Sequence, residues 1–131
     1  MLGFNETITV YNAVFDENSD CDIYRKAIIS GCSWHSQHIT GHDGTSFHRE
    51  NVMKIRIPET ARSSKAYVTP TEFTGAGCQY TLRSGDIIVK GVGPDISRPD
   101  ELAGKSADLC TITVVHDNRR IGLKHLYVEG K

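Results

Sequence analysis

The stretch Val52-Met53-Lys54-Ile55-Arg56-Ile57 decides the fold class. Met53, Ile55 and Ile57 recur at every second position, with Lys54 and Arg56 between them. Successive side chains of a strand point to opposite faces, so this alternation predicts a β-strand with one buried and one solvated face. The same period extends outward in both directions. Thr7-Ile8-Thr9-Val10-Tyr11 sets Ile8 and Val10 on one face and the two threonines on the other. Residues 22–29 are rich in β-formers and run into Ser30-Gly31, a turn signal. Cys32, Trp34 and the run to Ile39 then read as a partner strand folding back. Farther along, Cys110, Ile112 and Val114 share one side of a strand over 109–115. Asp117-Asn118 supplies turn chemistry, since both residues tolerate left-handed backbone, and a closing strand over 123–128 is expected to pair back antiparallel.

Between these strands the period lapses. After Pro58 the chain is polar from Glu59 to Ser64, and Tyr67-Val68 precedes Pro70 and the run Gly75-Ala76-Gly77, so a long connection with at most one short strand is expected. Order returns over Gln79 to Leu82. Arg83-Ser84-Gly85-Asp86 turns into Ile87-Ile88-Val89-Lys90, and Gly91-Val92-Gly93-Pro94 breaks that strand. One helix signal follows: Ser97 as cap, Pro99 in the first turn, and Asp100 and Glu101 at the positive end of the dipole. Together these elements predict an all-β chain. The expected form is a small antiparallel β-barrel or sandwich of about six to eight strands, with one short helix near 98–104. No linker or repeat divides it, and 1–131 reads as a single β domain.

A chain of 131 residues buries about two-thirds of its unfolded surface, enough for a core without covalent staples. Fifteen Lys and Arg against sixteen Asp and Glu give a formal charge of −1. There is no concentrated basic excess, and Arg119-Arg120 with Lys124 is too short a cluster to imply sequence-specific nucleic-acid binding. Met1-Leu2-Gly3-Phe4-Asn5-Glu6 carries no charged leader or apolar core of a secretory signal. Apolar runs such as Ile87-Ile88-Val89 fall far short of the roughly 20 residues that span a bilayer. The expectation is a soluble protein, made in the cytoplasm, with no membrane partner. Cys21, Cys32, Cys78 and Cys110 form no CxxC clip and read as reduced, mostly buried small hydrophobes, although Cys21 and Cys32 could face each other across a hairpin.

Histidine is the unusual feature. His35, His38, His42 and His48 lie close together beside Asp43 and Glu50, and imidazoles with carboxylates ligate transition metals. They are the candidate metal ligands, and a metal-dependent hydrolase built on them is the enzymatic alternative. The spacing argues against it: on a strand His38 and His42 share a face while His35 points the other way, and Gly41-His42-Asp43-Gly44 reads as a hairpin tip. HExxH is absent. His116-Asp117 are adjacent on a strand and face opposite ways, with no GxSxG elbow to supply a nucleophile. Gly91-Val92-Gly93 lacks the third glycine and helix of a dinucleotide site, and Trp34 reads as a core aromatic. No catalytic residue, no metal and no cofactor is expected.

The opening Asn5-Glu6-Thr7-Ile8-Thr9-Val10-Tyr11-Asn12, then Tyr24-Arg25-Lys26 and Gly31-Cys32-Ser33-Trp34, resembles an uncharacterised family of small proteins from phages and prophages of Gram-positive gut bacteria. The order of the later segments agrees: Gly85-Asp86-Ile87-Ile88-Val89-Lys90-Gly91, Thr113-Val114-Val115-His116-Asp117-Asn118-Arg119-Arg120 and His125-Leu126-Tyr127-Val128-Glu129-Gly130. The genes of that family lie in structural operons, near capsid and neck proteins. By analogy with head–tail stoppers, the resemblance implies a small β-barrel subunit of the head–tail junction in the virion. Its partners would be portal, adaptor and tail proteins, and it would form a ring of like subunits in the assembled particle. Tail-completion subunit or small phage binding module is the neighbouring alternative. The resemblance supplies no catalytic or metal residues. Under it, the connections 39–51 and 58–77 become gate and docking loops, with His42, Asp43, Phe47, Tyr67 and Phe73 as candidate interface residues.

Overall fold

The computed structural model describes residues 4–42, 47–102, 108–118 and 124–131. Within them the chain forms nine strands: β1 (Glu6–Asp16), β2 (Cys21–His42), β3 (Phe47–Pro58), β4 (Arg62–Ser63), β5 (Ala66–Tyr67), β6 (Gln79–Tyr80), β7 (Ile87–Lys90), β8 (Leu109–Asn118) and β9 (His125–Gly130). Six of them close into an all-antiparallel barrel. β1-β2-β3 is one three-stranded meander and β7-β8-β9 is another. They join edge to edge through β1–β7 and β3–β9, so hydrogen bonding runs round the ring β1-β7-β8-β9-β3-β2 and back to β1. The expected small antiparallel barrel is therefore the fold, and ring closure gives each of the six strands a neighbour on both sides over part of its length.

Alternation fills the interior. Ile8 and Val10, Ala27, Ile29 and Cys32, Ile55 and Ile57, Ile88, Cys110 and Ile112, and Leu126 and Val128 meet inside the ring. Each fully buried Ile or Leu there stabilises the fold by about 1.5–3 kcal/mol relative to exposure. Trp34 packs against this core but remains half-buried. Tyr80 and Leu82, from the long 59–86 connection, close one end of the barrel. They are tied down by Asn12, whose side chain donates to the Thr81 carbonyl and to Asp86 (both 2.8 Å) and accepts from the Thr81 N–H (3.0 Å). Arg83 neutralises Asp86 at 3.0 Å and donates to the Ala13 carbonyl at 2.7 Å. A buried carboxylate is tolerable there because it is both paired and hydrogen-bonded.

Several expectations fail for identifiable reasons. The threonine face of β1 is not solvated: Thr9 is fully buried, and Tyr11, Val89, Ile96 and Leu102 form a second apolar cluster on the outside of the barrel. The segment after β7 lies over it. Thr9 Oγ1 donates to the Gly91 carbonyl and accepts the Gly93 N–H, and Tyr11 Oη donates to the Pro94 carbonyl. A Cβ at Gly93 would run into the Tyr11 hydroxyl, so the strand break at Gly91-Val92-Gly93 is also the point of closest approach. Ser30-Gly31 is not a turn. Gly31 has φ +86° and is the extra residue of a bulge in one continuous strand. The bulge passes β2 from β1, its partner up to Cys32, to β3, its partner from Ser33. The reversal expected at Ser30-Gly31 lies instead at residues 17–20, with Asp20 left-handed.

Cys21 and Cys32 consequently sit on one strand, not across a hairpin, and all four cysteines are free. Cys32 and Cys110 are buried, with burial pushing both thiols up to about 12, but Cys21 and Cys78 are exposed, against the expectation of mostly buried thiols. On β8 a bulge between Ile112 and Val114 shifts the alternation, so Val115 packs against the core instead of Val114. Asp117-Asn118 is strand, paired with Leu126 and His125, and the reversal between β8 and β9 lies outside the described residues, as do Arg119-Arg120 and Leu123. The expected helix is a single 3-10 turn, Pro99–Leu102. Glu101 accepts from the Ser97 and Arg98 N–H groups, and positions 103–104 of the expected helix are outside the described residues.

Candidate functional site

The connection expected over 39–51 as a loop is largely strand. β2 and β3 pair from Ser33↔Arg56 out to His42↔Phe47. β9, however, accompanies β3 only from Pro58 to Met53, and β1 leaves β2 at Cys32. The six pairs from Gln37↔Val52 to His42↔Phe47 therefore form a two-stranded arm projecting from the barrel, with neither outer edge paired among the described residues. At about 3.3 Å per residue it reaches roughly 20 Å. An isolated two-stranded ribbon is marginal in water, and its unpaired N–H and C=O groups are a template for a further strand.

This register also disposes the histidines. His35 stands at the base opposite Lys54, His38 opposite Asn51, His48 opposite Gly41 and His42 opposite Phe47. His35 and His42 are seven residues apart along one strand, roughly 23 Å, so the four histidines do not gather around one ion. Among the described residues no group of three or more potential ligands forms a metal site. Asp43 lies outside the described residues; His42 and Phe47 pair at the described end of the arm. Tyr67 and Phe73 are elsewhere and half-buried. Tyr67 meets Tyr80 edge to face at 5.5 Å at the barrel end, and Phe73 lies under the Arg83 guanidinium at 5.2 Å.

Sequence reasoning missed a polar row on the outer surface at the foot of the arm. Ser33, Arg56, Tyr127 and His116 are successive partners across β2, β3, β9 and β8. Arg56 sits over the Tyr127 ring at 5.0 Å, and His116 stacks on its other side, 6.0 Å between centroids and 24° between planes. Tyr127 donates to Glu129 at 2.7 Å. Burial, that bond and the Glu129 charge push the phenol up to about 12, against the opposing effect of Arg56, so the row presents a neutral phenol as a fixed platform. No single residue signalled it, because its members come from four strands. Phe15 and Val92, 59% and 69% exposed, are two further surface hydrophobics that alternation alone did not mark. No helix among the described residues is long and apolar enough to cross a membrane.

A closed six-stranded barrel with a projecting β-ribbon defines the class of domain. The chain belongs to a family of unknown function, DUF6751, whose model matches residues 3–131. No curated protein and no solved structure matches it.

Proposed function

We propose that this chain is a structural subunit that works by protein–protein assembly, as a stopper or neck-type connector at a phage head–tail junction. The observation that carries the reading is the arm. Ring closure gives each of the six barrel strands a neighbour on both sides over part of its length, while six residue pairs of β2 and β3 extend past β1 and β9 with no further strand beside them among the described residues. Main-chain edges are a general means of adding a strand from a partner, giving affinity from the backbone and selectivity from the side chains. The segments quoted above as resembling phage structural-operon proteins support the place of action, with the portal, adaptor and tail proteins as partners and a ring of like subunits as the assembled form. A tail-completion role would use the same arm on a different partner.

The test is the mass of the purified chain by multi-angle light scattering, alone and mixed with the portal and adaptor proteins of its own operon. The same measurement is made on a variant in which residues 38–51 are replaced by Asn-Gly, a two-residue hairpin turn. Ring-sized co-elution of the full chain, lost in the variant, is the expected result. Co-elution with a tail protein alone moves the subunit to the tail, and no complex with any of them overturns the proposal.

A further inference from the structure

Besides the arm, a second stretch of strand is paired on one side alone. β7 accompanies β8 only from Leu109 to Thr111, and the next residue, Ile112, bonds to the Asp86 carbonyl and the Gly85 N–H. From Val114 to Asn118 β8 keeps β9 on one side, and no strand pairs with its other edge among the described residues. Val114 and Val115 are half-buried there, and His116, Asp117 and Asn118 are exposed. The stretch holds no proline and no lysine, residues that commonly blunt an edge.

The two open stretches lie toward opposite ends of the barrel. Gly130 of β9 pairs with Met53, at the foot of the arm, and with Ile112; His125 pairs with Pro58 and with Asn118. β8 therefore runs away from the arm, and β9 lies between it and β3. A chain cannot lay its own arm along its own β8. Another copy can, and such a contact is head to tail, the kind that closes a ring when the rotation between copies allows it.

We propose that the open edge of β3 in one copy adds antiparallel to the open edge of β8 in the next. Charge selects the register. Setting Arg49 opposite Asp117 also sets Glu50 opposite His116 and Val52 opposite Val114, so the pairs run from His48↔Asn118 to Val52↔Val114 and stay within both open stretches. A parallel arrangement with the same Arg49–Asp117 pair sets Glu50 opposite Asn118 and loses the second match. Opposite charges facing each other across two strands stabilise the pair, and like charges weaken it. The β2 edge of the arm stays open for a different partner. This inference rests on the assembly reading above and names the surface on which a neighbouring copy's arm lands.

The test uses the full chain with no other protein present. ¹H–¹⁵N spectra are followed from about 10 μM to about 1 mM, the range in which weak self-association is read. Amides of residues 48–52 and 114–118 are expected to shift together and saturably, while those of Ile8 and Val10 stay fixed. Asp117→Arg and Arg49→Asp are each expected to weaken self-association about tenfold, and an equimolar mixture of the two variants to recover it, because each then meets its opposite charge on the other. A chain that remains monomeric throughout overturns the contact, as do concentration-dependent shifts confined to other parts of the barrel or a mixture that associates no better than either variant. Ring-sized co-elution with portal and adaptor by a chain that fails this test keeps the assembly reading and overturns the β3–β8 contact alone.

Discussion

The two halves of β2 occupy opposite environments within a single strand. From Cys21 to Cys32 it lies along β1 for eleven residue pairs, and Ala27, Ile29 and Cys32 are sealed in the barrel. From Gln37 to His42 it has only β3 beside it among the described residues, with no third strand on either edge of the pair. Each half has one long partner, but the first is anchored by core side chains and by β4 at Ile29 and Ser30, so its opening is expected to require global unfolding, whereas the arm beyond the last β9 contact is expected to open or re-pair locally. Bulging at Gly31 is the device that lets one strand serve both purposes.

That contrast makes unequal demands on substitution. The largest effect belongs to the body: Ile55→Ala empties a fully buried position where β3 faces the core and is expected to cost about 2–5 kcal/mol in urea unfolding. A loss under about 1 kcal/mol would mean that the barrel is loosely packed and that the contrast with the arm is overstated.

Alkaline pH comes next. Cys32 and Cys110 are raised by burial from 9.0 to about 12. Above pH 9 the unfolded chain has lost these protons and the folded chain still holds them, so stability falls as pH rises through the window from 9 to 12. Each thiol contributes a slope of about 1.4 kcal/mol per pH unit. Cys110→Ala should remove one thiol's share of that slope, read from unfolding curves at pH 8, 9 and 10. An unchanged slope would show that the thiol ionises without unfolding.

The smallest effect on stability belongs to the arm. Replacing 38–51 by Asn-Gly is expected to leave unfolding within about 0.5 kcal/mol of the parent, because every pair it removes lies beyond the last contact with β9. A loss of several kcal/mol would make the arm part of the folding unit instead of an appendage.

Much of this architecture is legible in the sequence where one face is buried and one is wet. Met53-Lys54-Ile55-Arg56-Ile57 gives β3 its orientation directly, and Cys110 with Ile112 does the same for the first part of β8. The reading fails where local signals are degenerate. A left-handed glycine marks a turn and a bulge equally well, so Gly31 reads as a strand end where the strand continues. Thr9 sits in a polar position of the alternation, yet its hydroxyl is consumed by Gly91 and Gly93, a segment more than eighty residues away that no local pattern connects to it. At Thr113 a single bulged residue inverts the face, and alternation carries no mark of where it slips. Glycines and histidines between 39 and 51 suggested a loop, because composition is blind to the pairing of one strand with its neighbour.

The central claim is that the arm is a separate element, open in the free subunit and completed by a partner. Amide hydrogen exchange tests it most directly, measured on the isolated chain and again with the proposed portal and adaptor partners. The account predicts that amides of Ile8, Val10, Ile55 and Val128 exchange only through global unfolding, that those of residues 38–42 and 48–51 exchange orders of magnitude faster in the free chain, and that the second group becomes protected in the complex. Arm amides as protected as the barrel in the free chain, or still fast in a stable complex, would contradict it.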